Sequence, residues 1–147
     1  MMRFSNENDE NVVMTGGFRF RILWLGNGWL LVGLVVYLSL TPAPSSELLV
    51  FPFVDKLGHL IAYGVLMGWF AQLYPAGKSQ WLWALVFCLL GVTMEFAQAW
   101  GGHRFFDVAD MVANSLGVLL AWWLSRKWLA GSLLRVDHAL SRWLRLK

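Results

Sequence analysis

Asp55-Lys56-x-x-His59, Glu95-x-x-Gln98 and Arg104-x-x-Asp107-x-x-Asp110-x-x-x-Asn114 are three short polar clusters in an otherwise oily chain. Charge in hydrocarbon costs free energy, so an ionisable group inside an apolar segment reads as part of a site with partners. Four carboxylates, an imidazole, a lysine and an arginine at one depth can hold a proton, a cation or a ligand ammonium. They can also grip a phosphate while the imidazole serves as base or nucleophile. Either chemistry requires elements that bring the three clusters together.

Those elements are helices in a membrane. Hydrophobic residues make up 58% of the 147 and charged ones only 14%, which excludes an ordinary soluble domain. A bilayer core of about 30 Å takes roughly 20 helical residues, so the chain has room for about four spans and no second folded domain. Apolar runs cover residues 22–40, 57–73, 81–100 and 108–123 or slightly beyond. Pro42, Pro44 and Pro52 separate the first two, Tyr74-Pro75-Ala76-Gly77 the next two, and Gly101-Gly102 the last two. The runs are apolar on both parities, unlike the alternating strands of a membrane barrel. The predicted fold is an all-α membrane protein, a compact bundle of four transmembrane helices plus a C-terminal amphipathic interfacial helix. It divides into a polar cytoplasmic N-terminus (1–21), a membrane domain (22–124) and a basic amphipathic tail (125–147).

Basic residues set the expected orientation. Arg3, Arg19, Arg21, Lys78, Arg126, Lys127, Arg135, Arg142, Arg145 and Lys147 fall on one side of the four spans, and only Lys56 and Arg104 on the other. The positive-inside rule then places both termini in the cytoplasm of a bacterial inner membrane and the loops bearing Lys56 and Arg104 outside. Trp24, Trp81, Trp83, Trp122, Trp123 and Trp128 fall near the inner interface, and Trp100 near the outer one. The N-terminal segment is polar and partly acidic, unlike a secretory signal, so the first span reads as retained. Cys88, the single cysteine, excludes an internal disulfide. The net charge of +3 comes from the cytoplasmic flanks, with no basic stripe interleaved with stacking residues, so nucleic acid is not an expected partner.

Counted from the outer ends at about 1.5 Å per residue, His59 lies about 6 Å below Asp55, Glu95 about 7.5 Å below Trp100, and Asp110 and Asn114 about 4.5 and 10 Å below Asp107. Each cluster also repeats at helical spacing: Asp55, Lys56, His59 and Tyr63; Gly91, Glu95 and Gln98; Asp107, Asp110, Asn114 and Gly117. Gly64, Gly68 and Gly91 beside them suit close helix packing. Structural roles compete with functional ones at several positions. Asp107 with Asp110 fits an N-cap and an N3 acid of the fourth span, and Asp55 an N-cap of the second. Asn114 fits interhelical glue, Tyr63 a packed aromatic, and His103 and Arg104 an exposed loop. Glu95 and His59 sit away from helix starts, and a carboxylate at that depth must be paired or protonated.

In order and spacing, Asp55-Lys56-Leu57-Gly58-His59-Leu60-Ile61-Ala62-Tyr63, then Gly91-x-x-x-Glu95-x-x-Gln98, then Arg104-x-x-Asp107-x-x-Asp110-x-x-x-Asn114-x-x-Gly117 resemble the VanZ-like family of small bacterial membrane proteins. The resemblance covers about residues 38–124. It implies a four-helix membrane fold and, through the founding member, a link to teicoplanin resistance and the cell envelope; it implies no reaction. The longer polar N-terminus and the basic tail depart from the family pattern. In that tail Leu129, Leu133, Val136, Leu140 and Trp143 share a helical face beside Arg135, Arg142, Arg145 and Lys147, which suits an anchor on anionic lipid.

Three functions compete. The first is an envelope protein whose outward polar pocket, lined by Lys56, His59, Glu95, Gln98, Arg104, Asp107, Asp110 and Asn114, binds a lipid headgroup or a cell-wall precursor. The second is an enzyme acting on a lipid-linked phosphate, with His59 as base or nucleophile, Lys56 and Arg104 on the phosphate, and Glu95 or Asp110 orienting the imidazole. The third, a proton or cation path, suffers because the polar stripes stop in the outer half. No HExxH, GxSxG or P-loop pattern occurs, so neither a metal site nor a cofactor is expected from motifs. Membrane lipids and a cell-wall precursor or other lipid-linked ligand are the expected partners; no protein partner is indicated.

Overall fold

The computed structural model describes residues 17–41, 52–101 and 106–145. The described residues form five helices in succession, α1 Arg21–Leu40, α2 Pro52–Leu73, α3 Lys78–Trp100, α4 Val108–Lys127 and α5 Ser132–Arg145, and contain no strand. The apolar runs predict α1, α3 and α4 to within a few residues. α2 begins at Pro52, five residues before its apolar run. Proline suits a first helical turn, where its missing N–H has no intrahelical partner, so Pro52 opens the helix instead of breaking the chain before it. Asp55 therefore lies inside the first turn and is not the N-cap.

Of the four helices expected to span a membrane, three are apolar enough to do so among the described residues. By length and composition α1, α3 and α4 are apolar enough to cross a membrane, which makes this a multi-pass membrane protein; α2 is long enough but does not qualify. The cause is the Asp55, Lys56 and His59 cluster at its start together with Gln72 at its end. α2 sustains those groups because it is the hub of the bundle, packing against each of the other four helices. Tyr63, Leu66, Met67 and Phe70 are at most 1% exposed, and among its described residues a stripe of Val54, Leu57, Gly58, Ile61 and Val65 faces outward.

Core packing differs between the two ends. At the end formed by the α2–α3 turn, Phe70 lies 4.4 Å from Trp83 and 5.1 Å from Phe87 between ring centroids. Gly77 makes that turn with φ of 113°, a conformation open to glycine at little cost, and Gln80 Nε2 donates to the Ala71 and Tyr74 carbonyls left over at the end of α2. Toward the other end, α2 and α4 meet backbone to backbone. A Cβ on Gly117 would collide with the Leu60 carbonyl oxygen, and one on Gly64 would stand 3.4 Å from the Gly117 oxygen. A Cβ on Gly91 would meet Asn114 at 2.9 Å, whereas one on Gly68 would make only a 4.0 Å contact. Small residues thus set the approach at Gly64, Gly91 and Gly117.

α5 closes the bundle through Asp137, a residue the sequence does not single out. α1 has no side-chain cap of its own at Phe20. Asp137, with no exposed surface, accepts instead from Arg19 N at 2.8 Å, Phe20 N at 3.0 Å and Trp24 Nε1 at 2.7 Å. Burial alone would raise its carboxyl pKa, but the Trp24 indole and the two backbone N–H groups outweigh that and hold it below the usual range. A lowered folded pKa means stabilisation that is complete above the ordinary value of about 3.9 and is lost as pH falls through the folded value. Asp137→Asn is expected to cost about 1–3 kcal/mol at neutral pH. In thermal unfolding followed across acid pH, the variant should also lose Tm less steeply than the parent; parallel curves would remove Asp137 as the group responsible.

Candidate functional site

The site is built at the start of α4. Asp107 caps that helix, its Oδ1 accepting from Ala109 N at 2.8 Å, as the spacing predicts. In a capping box the N3 acid would bond back to the cap's own N–H. Here Glu95 of α3 takes that place, with Oε1 accepting from Asp107 N at 2.6 Å. Asp110, the N3 acid, is released to turn toward α2.

Lys56 of α2 reaches both acids, with Nζ 2.5 Å from Asp107 Oδ2 and 2.8 Å from Asp110 Oδ1. The Asp107 carboxyl is held below its usual pKa, first by Lys56 and then by the Ala109 N–H. One turn further along α2, His59 Nε2 stands 3.7 Å from Asp110 Oδ2 and 3.9 Å from Asp55 Oδ1. The imidazole is 11% exposed and the Asp110 side chain 7%, so this end of the cluster is shielded, whereas Asp107 at 45% is open.

Glu95 and Asn114 are each 2% exposed, and Glu95 Oε2 and Asn114 Oδ1 have no hydrogen-bond partner among the described residues. Tyr63, read as a packed aromatic, is a core residue. Gln98 is buried but turns away, its Nε2 donating to the Ser39 carbonyl at 2.7 Å and so tying α3 to the end of α1. Arg104 and His103 lie outside the described residues. The structure thus gathers Asp55, Lys56, His59, Glu95, Asp107 and Asp110, with Asn114 one turn below Asp110. Of the two roles expected for Asp55, capping α2 or joining the polar cluster, the structure shows the second, beside His59 at a spacing of four on one helix.

A family model described as VanZ/LLP1 matches residues 4–131, nearly the whole chain. The chain belongs to the VanZ/LLP1 family. No curated protein and no solved structure matches it. The site of this VanZ/LLP1 member is therefore read from its own geometry.

Lys56 is the only described lysine or arginine placed among the cluster's carboxylates, and Asp110 is nearly buried. Removing the ammonium leaves that carboxylate uncompensated, which costs more than the exposed Asp107 contact alone would suggest. Lys56→Met is expected to lose about 1–3 kcal/mol in thermal unfolding of detergent-purified protein, and adding Asp110→Asn should restore part of it. Additive losses would show that the two residues do not interact.

Proposed function

We propose that this VanZ/LLP1 protein binds an envelope ligand, a lipid headgroup or a cell-wall precursor, at the cluster of Lys56, His59, Glu95, Asp107 and Asp110. The observation that carries the reading is the Lys56 bridge, which joins α2 to α4 at the mouth of a group of carboxylates from three helices. Asp55, Glu95, Asp107 and Asp110 outnumber Lys56 and His59 among the described residues, so the site suits a cationic partner, an ion or the amine of a ligand. α2 forms the fourth span in this reading, its polar start covered by α3 and α4.

The basic-residue asymmetry supports an outward-facing site with both termini in the cytoplasm of the bacterial inner membrane. α5 then lies along the inner leaflet. Its Leu134, Asp137 and Ser141 face the bundle, while Val136, Leu140 and Trp143 are exposed beside Arg135 and Arg142, as expected of an interfacial helix. The physiological setting proposed is envelope homeostasis or resistance to teicoplanin-type glycopeptides. The enzyme alternative, with His59 attacking a lipid-linked phosphate, is the weaker reading, because two carboxylates already share the lysine that would hold the phosphate.

Native mass spectrometry of gently extracted protein tests the binding. A retained envelope lipid or precursor, diminished in Asp110→Asn, is expected; retention unaltered by that change would place the ligand elsewhere. Orientation has its own measurement. A reporter active only outside the cytoplasm is expected to work when fused after Trp100 and to be silent at Gly77, and the reverse pattern would invert the topology.

A further inference from the structure

Asp55, His59 and Asp110 offer three ligand atoms that all lie within 4.8 Å of one another. Two of the separations are known individually, 3.7 Å from His59 Nε2 to Asp110 Oδ2 and 3.9 Å from His59 Nε2 to Asp55 Oδ1. Both exceed the range of about 2.7–3.2 Å over which an imidazole N–H bonds directly to a carboxylate oxygen. An ion shared by the three groups is compatible with such separations. At metal–ligand bonds of about 2.1 Å the atoms of a tetrahedral set stand about 3.4 Å apart, so the two pairs at His59 need to close by about half an ångström or less, and the Asp55–Asp110 pair starts from within 4.8 Å.

Three more features agree. Lys56 fixes Asp110 through Oδ1 at 2.8 Å and leaves Oδ2 turned to His59, the kind of outer hydrogen bond that orients a metal-binding carboxylate. A divalent ion would also offset charge, since among the described residues Asp55, Glu95, Asp107 and Asp110 against Lys56 leave three negative charges, which the ion reduces to one. Two buried oxygens on the neighbouring helices, Glu95 Oε2 of α3 and Asn114 Oδ1 of α4, lack a hydrogen-bond partner among the described residues, an acceptor capacity that water carried by a cation would fill.

The geometry points to a divalent metal site formed by Asp55, His59 and Asp110. One imidazole nitrogen with two carboxylate oxygens suits Mn2+ or Zn2+, and three protein ligands leave a coordination position open. That position would be available to the ligand of the proposed function. An anionic headgroup or precursor phosphate would complete the coordination, so this inference rests on that reading and names the cation its carboxylates require.

The test uses the full chain, free of any histidine tag, in mild detergent with Mn2+ or Zn2+ alone, followed by titration calorimetry and metal analysis. Saturable binding of one ion per chain is expected, weakened at least about tenfold by His59→Gln and by Asp55→Asn. Asp55 takes no part in the Lys56 bridge, so Asp55→Asn decides the matter if His59→Gln does not fold. Absence of saturable binding for both ions, or binding that neither substitution alters, overturns the site. Protein that retains an envelope lipid yet binds neither ion overturns this inference while leaving the proposed function standing.

Discussion

The contact between Gly117 and the Leu60 carbonyl, with Gly64 beside it, is the constraint on which the molecule depends. It brings two helix backbones to a distance that side chains normally forbid, and fixes the depth at which α2 meets α4. One turn above Leu60 on α2 is Lys56; two turns from Gly117 on α4 is Asp110. Helices held further apart would leave the ammonium short of both acids. Close packing and charge pairing are therefore one device, because the glycines make room for contact and the contact sets the lysine among the carboxylates.

α3 adds to it by an exchange of hydrogen bonds. Glu95 serves the backbone N–H of Asp107 that a capping-box acid would otherwise take, and Asp110 is thereby available to α2. Three helix ends are served by a neighbour: the start of α4 by Glu95 of α3, the end of α2 by Gln80 of α3, and the start of α1 by Asp137 of α5. Backbone groups in a membrane have no water to turn to, so such borrowing holds the helices in register as well as satisfying their ends.

Much of this was legible in the chain. Apolar runs located α1, α3 and α4, and helical spacing put Lys56, His59, Glu95 and Asp110 on faces that do converge. α2 was legible as a helix, but its early start was hidden by Pro52, which reads as a breaker and acts as an opener. Its failure to qualify as a span follows from the same residues that make it interesting. Gln98 shows the limit of face reasoning: its register matches Glu95, yet its amide finds the Ser39 carbonyl. Asp137 was beyond reach, since two of its three donors are backbone N–H groups, which carry no side-chain signature, and an acid in an amphipathic tail ordinarily faces water. Asp55, His59 and Asp110 escaped motif scanning because two of them share a helix while the third arrives from a distant part of the chain.

Asp137 also orders the protein in time. During synthesis the ribosome releases α1 long before α5, so α1 has its leading amides unmatched until α2, α3 and α4 have also been made. Among the described helices the bundle is in this sense a closed ring, α1 and α5 joined by one carboxylate.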